Sequence, residues 1–141
     1  MKKMIRFLLL LMLFASCQSG KQEADNVAKA KEMFDAFNRH DWAAMTNCYS
    51  ASASFLDPSY GVEYVDKTRN EIADKYSGMQ KIFPDIHDEL VGIYASDDKV
   101  TVEFVSAGTA ADGSKFMLPI ISVLTFKDGS IVKDATYYDN P

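Results

Sequence analysis

The side chains of this 141-residue chain with the means to move a proton gather in two stretches, around Asp57-Pro58 and along Asp134 to Asp139. A carboxyl held away from water loses stability in its charged form, so its pKa climbs toward neutrality, where it can give or take a proton. Asp57 and Asp134 are the candidate acid/base residues, and His87 can shuttle protons if it stands at a cavity mouth. Each has a plain reading beside it. Asp before Pro starts turns by accepting local backbone hydrogen bonds, a strand-end histidine is commonly solvated, and Asp139 can simply end a strand. Trp42, Tyr49 and Tyr60 offer aromatic faces to a ligand, and Ser122, Tyr138 and Asp139 offer polar tips. Aromatics at the spacing of Trp42 and Tyr49 suit core packing equally well. Other chemistries lack their residues. Two His and two Cys without a cluster at ligand spacing give no metal site. With no GxSxG, Walker or dinucleotide pattern, the expected chemistry needs no cofactor.

The elements that must position these groups follow from periodicity. Val27, Ala30, Phe34 and Phe37 recur at helical spacing and predict an amphipathic helix from about Ala24 to Asn38. Asp41 is placed to cap a second helix over Trp42–Tyr49, and Asp66 or Thr68 a third that runs to about Met79. Ala53–Leu56 reads as a short strand between them. After Pro84 the period changes from helical to alternating. Strands are expected over Ile86–Ala95, Lys99–Thr109, Lys115–Phe126 and Ser130–Asp139, joined by Asp-rich and Asp-Gly turns that make neighbours antiparallel. Helices first and a meander afterwards give an α+β domain, helices on one face of a curved antiparallel sheet. His40, in the turn between the first two helices, is expected in solvent, and Cys48 in the core.

Alternation assigns the faces. With Lys115 and Thr125 outward, Phe116, Leu118, Ile120, Ser122, Leu124 and Phe126 point toward the helices. With Lys133 outward beside Ile131, Ala135, Tyr137 and Asp139, the inward set on the last strand is Val132, Asp134, Thr136 and Tyr138. A buried Asp is costly unless paired, so this inner face implies a wet cavity in place of a filled core. The outward set Val105, Met117, Pro119, Ile121, Val123, Ile131 and Tyr137 is too apolar to leave in water, and a homodimer through the outer sheet face is expected.

Lys2, Lys3 and Arg6 followed by the nine-residue apolar run Phe7 to Ala15 read as a secretory signal of residues 1–16. The run is about half of the ~20 residues a membrane-spanning helix needs. Phe14-Ala15-Ser16-Cys17 resembles the lipobox of bacterial lipoproteins, which implies lipidation of Cys17. Residues 17–25 would then be the lipidated Cys and a polar tether, and residues 26–141 the domain, held at the bacterial cell envelope by a lipid anchor alone. Removing those three cations makes the net charge of −5 three units more negative. A body so acidic repels phosphate backbones, so no nucleic-acid partner is expected.

The ordered set Phe37-Asn38-Arg39-His40-Asp41-Trp42, Tyr49 through Asp57-Pro58, Phe83-Pro84-Asp85-Ile86, Gly108-Thr109, Asp112-Gly113 and Asp128-Gly129 through Tyr137-Tyr138-Asp139 resembles the nuclear-transport-factor-2-like superfamily, in particular its SnoaL-like, polyketide-cyclase-like branch. The resemblance implies a cone-shaped curved sheet on three N-terminal helices with a pocket at its open end. It implies no single function, since the superfamily holds isomerases, cyclases, dehydratases and assembly domains. Asp57-Pro58 resembles the general-base position of ketosteroid isomerases, but the oxyanion-stabilising phenol and acid of those enzymes fall near Met33 and Ser122. Isomerisation of that type would leave the developing oxyanion unsupported. SnoaL-like cyclases resemble this chain in a C-terminal acid/base aspartate, for which strand parity favours Asp134 over Asp139. The expectation is a pocket for a small, mostly apolar molecule, serving cofactor-free isomerase, cyclase or dehydratase chemistry, or else a non-catalytic binding or assembly module.

Overall fold

The computed structural model describes the backbone of residues 2–139 and the side chains of residues 20–139. The expected signal segment, residues 1–16, and Cys17 lie outside the described side chains. Helix α1 (Lys2–Asn38) turns Asn26, Ala30, Met33, Phe34 and Phe37 inward, the i, i+3, i+4 stripe read from the sequence. It is already helical where a patternless tether was expected, and Glu23 accepts a hydrogen bond from the Asp97 amide at 2.9 Å. At His40 the backbone takes a positive φ of 55° and the chain reverses. Asp41 then caps α2 (Trp42–Asn47) through the Ala44 amide at 3.0 Å. Tyr49 belongs to the next element, β1 (Tyr49–Leu56), so α2 ends before it.

A 3-10 turn (Pro58–Tyr60) leads to β2 (Val65–Thr68), an edge strand whose four residues are too short a pattern to read in sequence. Asp66 pairs with Ser54 in the sheet, which leaves Thr68 to cap α3 (Arg69–Ile82) in a reciprocal box with Glu71. Four long strands follow, β3 (His87–Ser96), β4 (Lys99–Thr109), β5 (Lys115–Lys127) and β6 (Ser130–Tyr137). Asp128 and Gly129 both carry positive φ, 52° and 75°, the left-handed pair that a two-residue hairpin needs.

The strand order is β2-β1-β6-β5-β4-β3. The meander is antiparallel as expected, but β6 returns beside β1 in parallel, so the six-stranded sheet is mixed. β5 alternates as predicted. β6 does not alternate throughout: Thr125 pairs with Lys133 and Phe126 with Ile131, so Val132 is extra. This bulge resets the parity and sends Ile131 into the core, not to the outer face. A second bulge at Val91 bends β3, since Leu90 faces Phe104 and Gly92 faces Glu103. The curved sheet wraps α1 and α3, and the core between them is built from Phe34, Phe37, Phe104, Leu124, Phe126 and their neighbours. Among the described residues no helix is long and apolar enough to cross a membrane.

Candidate functional site

The core is incomplete. Between α1, α3 and the inner faces of β3 to β6 lies a cavity of about 200 Å³, walled by Met33, Phe34, Phe37, Phe104, Phe116, Leu118 and Ile120. Into this apolar space come three carboxyls, Asp57, Asp88 and Asp134, and one ammonium, Lys75.

Asp57 follows β1, where the chain leaves the sheet. Its Oδ1 accepts from the Ser59 amide at 2.7 Å and from the Tyr138 hydroxyl at 2.9 Å, and its Oδ2 from Lys75 Nζ at 2.6 Å. Burial pushes its carboxyl up, but the Lys75 charge and these hydrogen bonds outweigh burial and hold it below the ordinary range. The turn role and the site role thus coincide: one carboxylate caps the Pro58 turn and fixes Lys75. Burial, then donation to Asp57, pushes the Tyr138 phenol up to about 12. Lys75 also lies over the rings of Tyr60 and Tyr76, 4.5 and 5.4 Å from their centroids.

Asp134 reaches the cavity from β6. It accepts from Tyr49 Oη at 2.7 Å and from Thr136 Oγ1 at 3.0 Å, and Thr136 shares a further hydrogen bond of 2.7 Å with Ser122. Complete burial raises its pKa against the opposing pull of Tyr49 and Thr136. Asp88 stands three strands away on β3. Asn38 clamps its backbone from α1, accepting from the amide at 2.8 Å and donating to the carbonyl at 2.9 Å. The Asp88 side chain is 7% exposed, and its Oδ1 has no hydrogen-bond partner. Burial pushes this carboxyl up to about 7, with the cross-strand Ser106 hydroxyl pulling it back in part.

The structure brings together Asp57, Asp134, Tyr49, Ser122 and Tyr138 from the residues singled out by sequence. It does not bring the others. His87 is exposed beside a separate surface hollow with Asp85 and Lys115, because strand alternation turns its neighbour Asp88 inward instead. Asp139 is exposed beyond the end of β6, and Tyr60 sits behind Lys75 without lining the cavity. Trp42 packs against Phe37 and Tyr76 outside the cavity, donating Nε1–H to Gln80 at 3.0 Å. Gln80 in turn bonds His40 Nδ1 at 2.9 Å, and His40 Nε2 meets the Ile86 carbonyl at 2.9 Å. His40 is therefore a part-buried strut, not a solvated loop residue. Cys48 is in the core, its thiol pushed up by burial.

Asp88, Lys75, Tyr76, Ser59 and Ser106 were missed, while Thr136 was placed on the inner face without a role. Three of them left a trace. Asp88 shares its strand face with Ile86 and Leu90, and Lys75 and Tyr76 lie within the stripe marked by Ile72 and Met79. Among the described residues no group of His, Cys, Asp and Glu is placed to hold a metal ion.

Three helices on a curved six-stranded sheet around a cavity define the class, the α+β fold of nuclear-transport-factor-2-like and ketosteroid-isomerase-like proteins. Residues 30–133 match the SnoaL-like domain, and the chain belongs to that family. Among solved structures it resembles IdmH of Streptomyces antibioticus, described as a candidate polyketide cyclase, at 21% identity with a TM-score of 0.72 over 82% of this chain and 92% of that one. AclR of Streptomyces galilaeus, described as a candidate hydroxylase, matches at 22% identity and a TM-score of 0.71, covering 83% and 80%. A ketosteroid-isomerase-like protein of Catenulispora acidiphila in complex with trimethylamine matches at 20% identity and a TM-score of 0.69, covering 79% and 85%. At these identities the likeness is one of fold. No curated protein matches the chain.

Proposed function

We propose that the cavity binds a small, mostly apolar molecule and performs cofactor-free proton transfer on it, of the isomerase, cyclase or dehydratase kind. One observation carries this reading: two carboxyls in one apolar cavity have their pKa values driven apart, Asp57 down beside Lys75 and Asp134 up by burial. Such divergence assigns roles. Asp57 stays ionised and holds Lys75 and Tyr138 in place, while Asp134 exchanges the proton. Lys75 keeps N–H donors beyond the one given to Asp57, so it can meet negative charge developing on a ligand oxygen. Sequence comparison had left this electrophilic role empty at Met33 and Ser122; Lys75 fills it from α3. Tyr49 and the Ser122-Thr136 pair orient Asp134. The same domain is proposed to be exported and held at the bacterial envelope by lipid on Cys17, on the strength of the basic start, the short apolar run and the lipobox-like Phe14-Ala15-Ser16-Cys17.

The test begins with native mass spectrometry to identify the molecule that co-purifies, followed by NMR of its C–H sites in D2O. Proton exchange catalysed by the wild type should fall by about 10²-fold or more in Asp134→Asn. A bound molecule whose exchange is the same with wild type, Asp134→Asn and buffer would overturn the acid/base reading and leave a binding module.

A further inference from the structure

We propose that Asp88 is a second ligand-binding group of the cavity and that it selects an amine-bearing apolar molecule, whose ammonium pairs with this carboxylate; the inference rests on the cavity being a small-molecule site. Three features of the site converge on it. The residues lining the cavity hold three carboxyls against the single ammonium of Lys75, whose charge pairs with Asp57 at 2.6 Å. Asp134 has two hydroxyl donors, whereas Asp88, with only the Ser106 hydroxyl beside its carboxyl, keeps a buried Oδ1 without a hydrogen-bond partner. A buried oxygen without a hydrogen bond carries its full desolvation cost, which a ligand donor relieves. The Asn38 clamp on both backbone groups of Asp88 fixes the strand there, and the side chain lies buried at the cavity wall.

The surroundings favour a cation over a carbonyl. Phe34, Phe37, Phe104 and Phe116 line the same cavity, and aromatic faces attract a desolvated ammonium while the alkyl part is buried. The groups facing Asp88 add no competing charge nearby. Ser106 on β4 and Asn38 on α1 are neutral, and on α3 burial, then the carboxylates Asp134, Asp57 and Asp88, keep the Tyr76 phenol protonated. His40 meets the backbone carbonyl of Ile86, and His87 points outward. Lys75 lies with Asp57, at the far side of the sheet from β3.

The two ligand chemistries have opposite proton linkage. An ammonium stabilises the carboxylate and expels a proton from Asp88; a carbonyl oxygen stabilises the carboxylic acid and takes one up. Titration calorimetry at pH 7 in buffers of different ionisation enthalpy, with benzyldimethylamine and acetophenone as the probes, reads this sign. The amine is expected to bind at least tenfold more tightly than the ketone to the wild type, with release of roughly half a proton, as for a group titrating near neutrality. Asp88→Asn should bind the two probes equally and release none, and Asp88→Glu should retain the preference. An amine preference that survives in Asp88→Asn, proton uptake on amine binding, or no preference in the wild type would overturn the inference while leaving the cavity a ligand site. If neither probe nor any co-purifying molecule binds, this inference and the proposed function fall together.

Discussion

Asp88 shows how one residue couples burial to pH. Its carboxyl moves from 3.8 up to about 7 because burial disfavours the charged form. A raised carboxyl pKa means that the folded state binds the proton more tightly than the unfolded chain. Asp88 is therefore no burden below pH 3.8, erodes stability as pH rises through the window to about 7, and costs most above it. At 1.36 kcal/mol per pH unit, that full cost is about 4 kcal/mol. Asp88→Asn removes the charge and keeps the shape, so it should melt at least ~4 °C above the wild type at pH 8 and converge with it near pH 4. Thermal melts at the two pH values check this; an equal loss of stability at both would show the carboxylate to be held by a partner. Asp57 behaves in the opposite sense, since its lowered pKa stabilises the fold at neutral pH and that contribution disappears as pH falls through the carboxylate range. The sequence displayed Asp57, Asp134, Tyr49 and Tyr138 as candidates because their types and strand parity are local facts. Asp88 was passed over for His87, although a single step of alternation separates inward from outward.

At the scale of elements, the cavity depends on how closely β4 and β5 approach the end of α3. Gly108 on β4 pairs with Phe116 on β5, and a Cβ there would lie 2.7 Å from the Phe116 ring and 3.0 Å from Phe83. The Phe83 and Phe116 rings pack edge to face, 4.7 Å between centroids, beside the cavity. Gly108→Ala should therefore displace Phe116, lose about 1–3 kcal/mol and weaken ligand binding, while Phe116→Leu in that background restores part of the stability. Denaturant midpoints of the single and double variants measure it; a Gly108→Ala midpoint equal to wild type would show that the rings yield freely. The strand Lys99–Thr109 was legible to its ends, because alternation and turn residues bound it on both sides. Bulges are another matter. Nothing in Ser130-Ile131-Val132-Lys133 announces that Val132 is extra, and the register with β5 decides it.

For the whole molecule, the outer sheet face carries the plainest physical test. Met117 is 77% exposed, Tyr137 52% and Ile121 43%. A homodimer across this face would cover them. Light scattering of the protein lacking residues 1–16 at micromolar concentration is expected to give twice the chain mass, and Met117→Lys with Ile121→Lys should return it to the monomer. A monomeric mass for the unaltered protein would remove the dimer. The anchor is tested separately, by metabolic labelling with a fatty-acid analogue. Label is expected on the wild type and absent from Cys17→Ala; equal labelling would remove the lipid from the account.

The chain's own pattern of apolar spacing, caps and Asp-Gly turns determined the α+β class, the three helices, the long meander and the presence of acids on its inner face. These are local properties, set by side-chain period and by backbone preference within a few residues. Partnership was decided only by tertiary structure. Lys75 meets Asp57 across 18 residues, Tyr138 meets Asp57 across 81, and Tyr49 meets Asp134 across 85. The parallel return of β6 beside β1 brings Asp134 to Tyr49 and Tyr138 to Asp57. Burial and charge then fix each proton affinity, and both depend on the packed molecule as a whole.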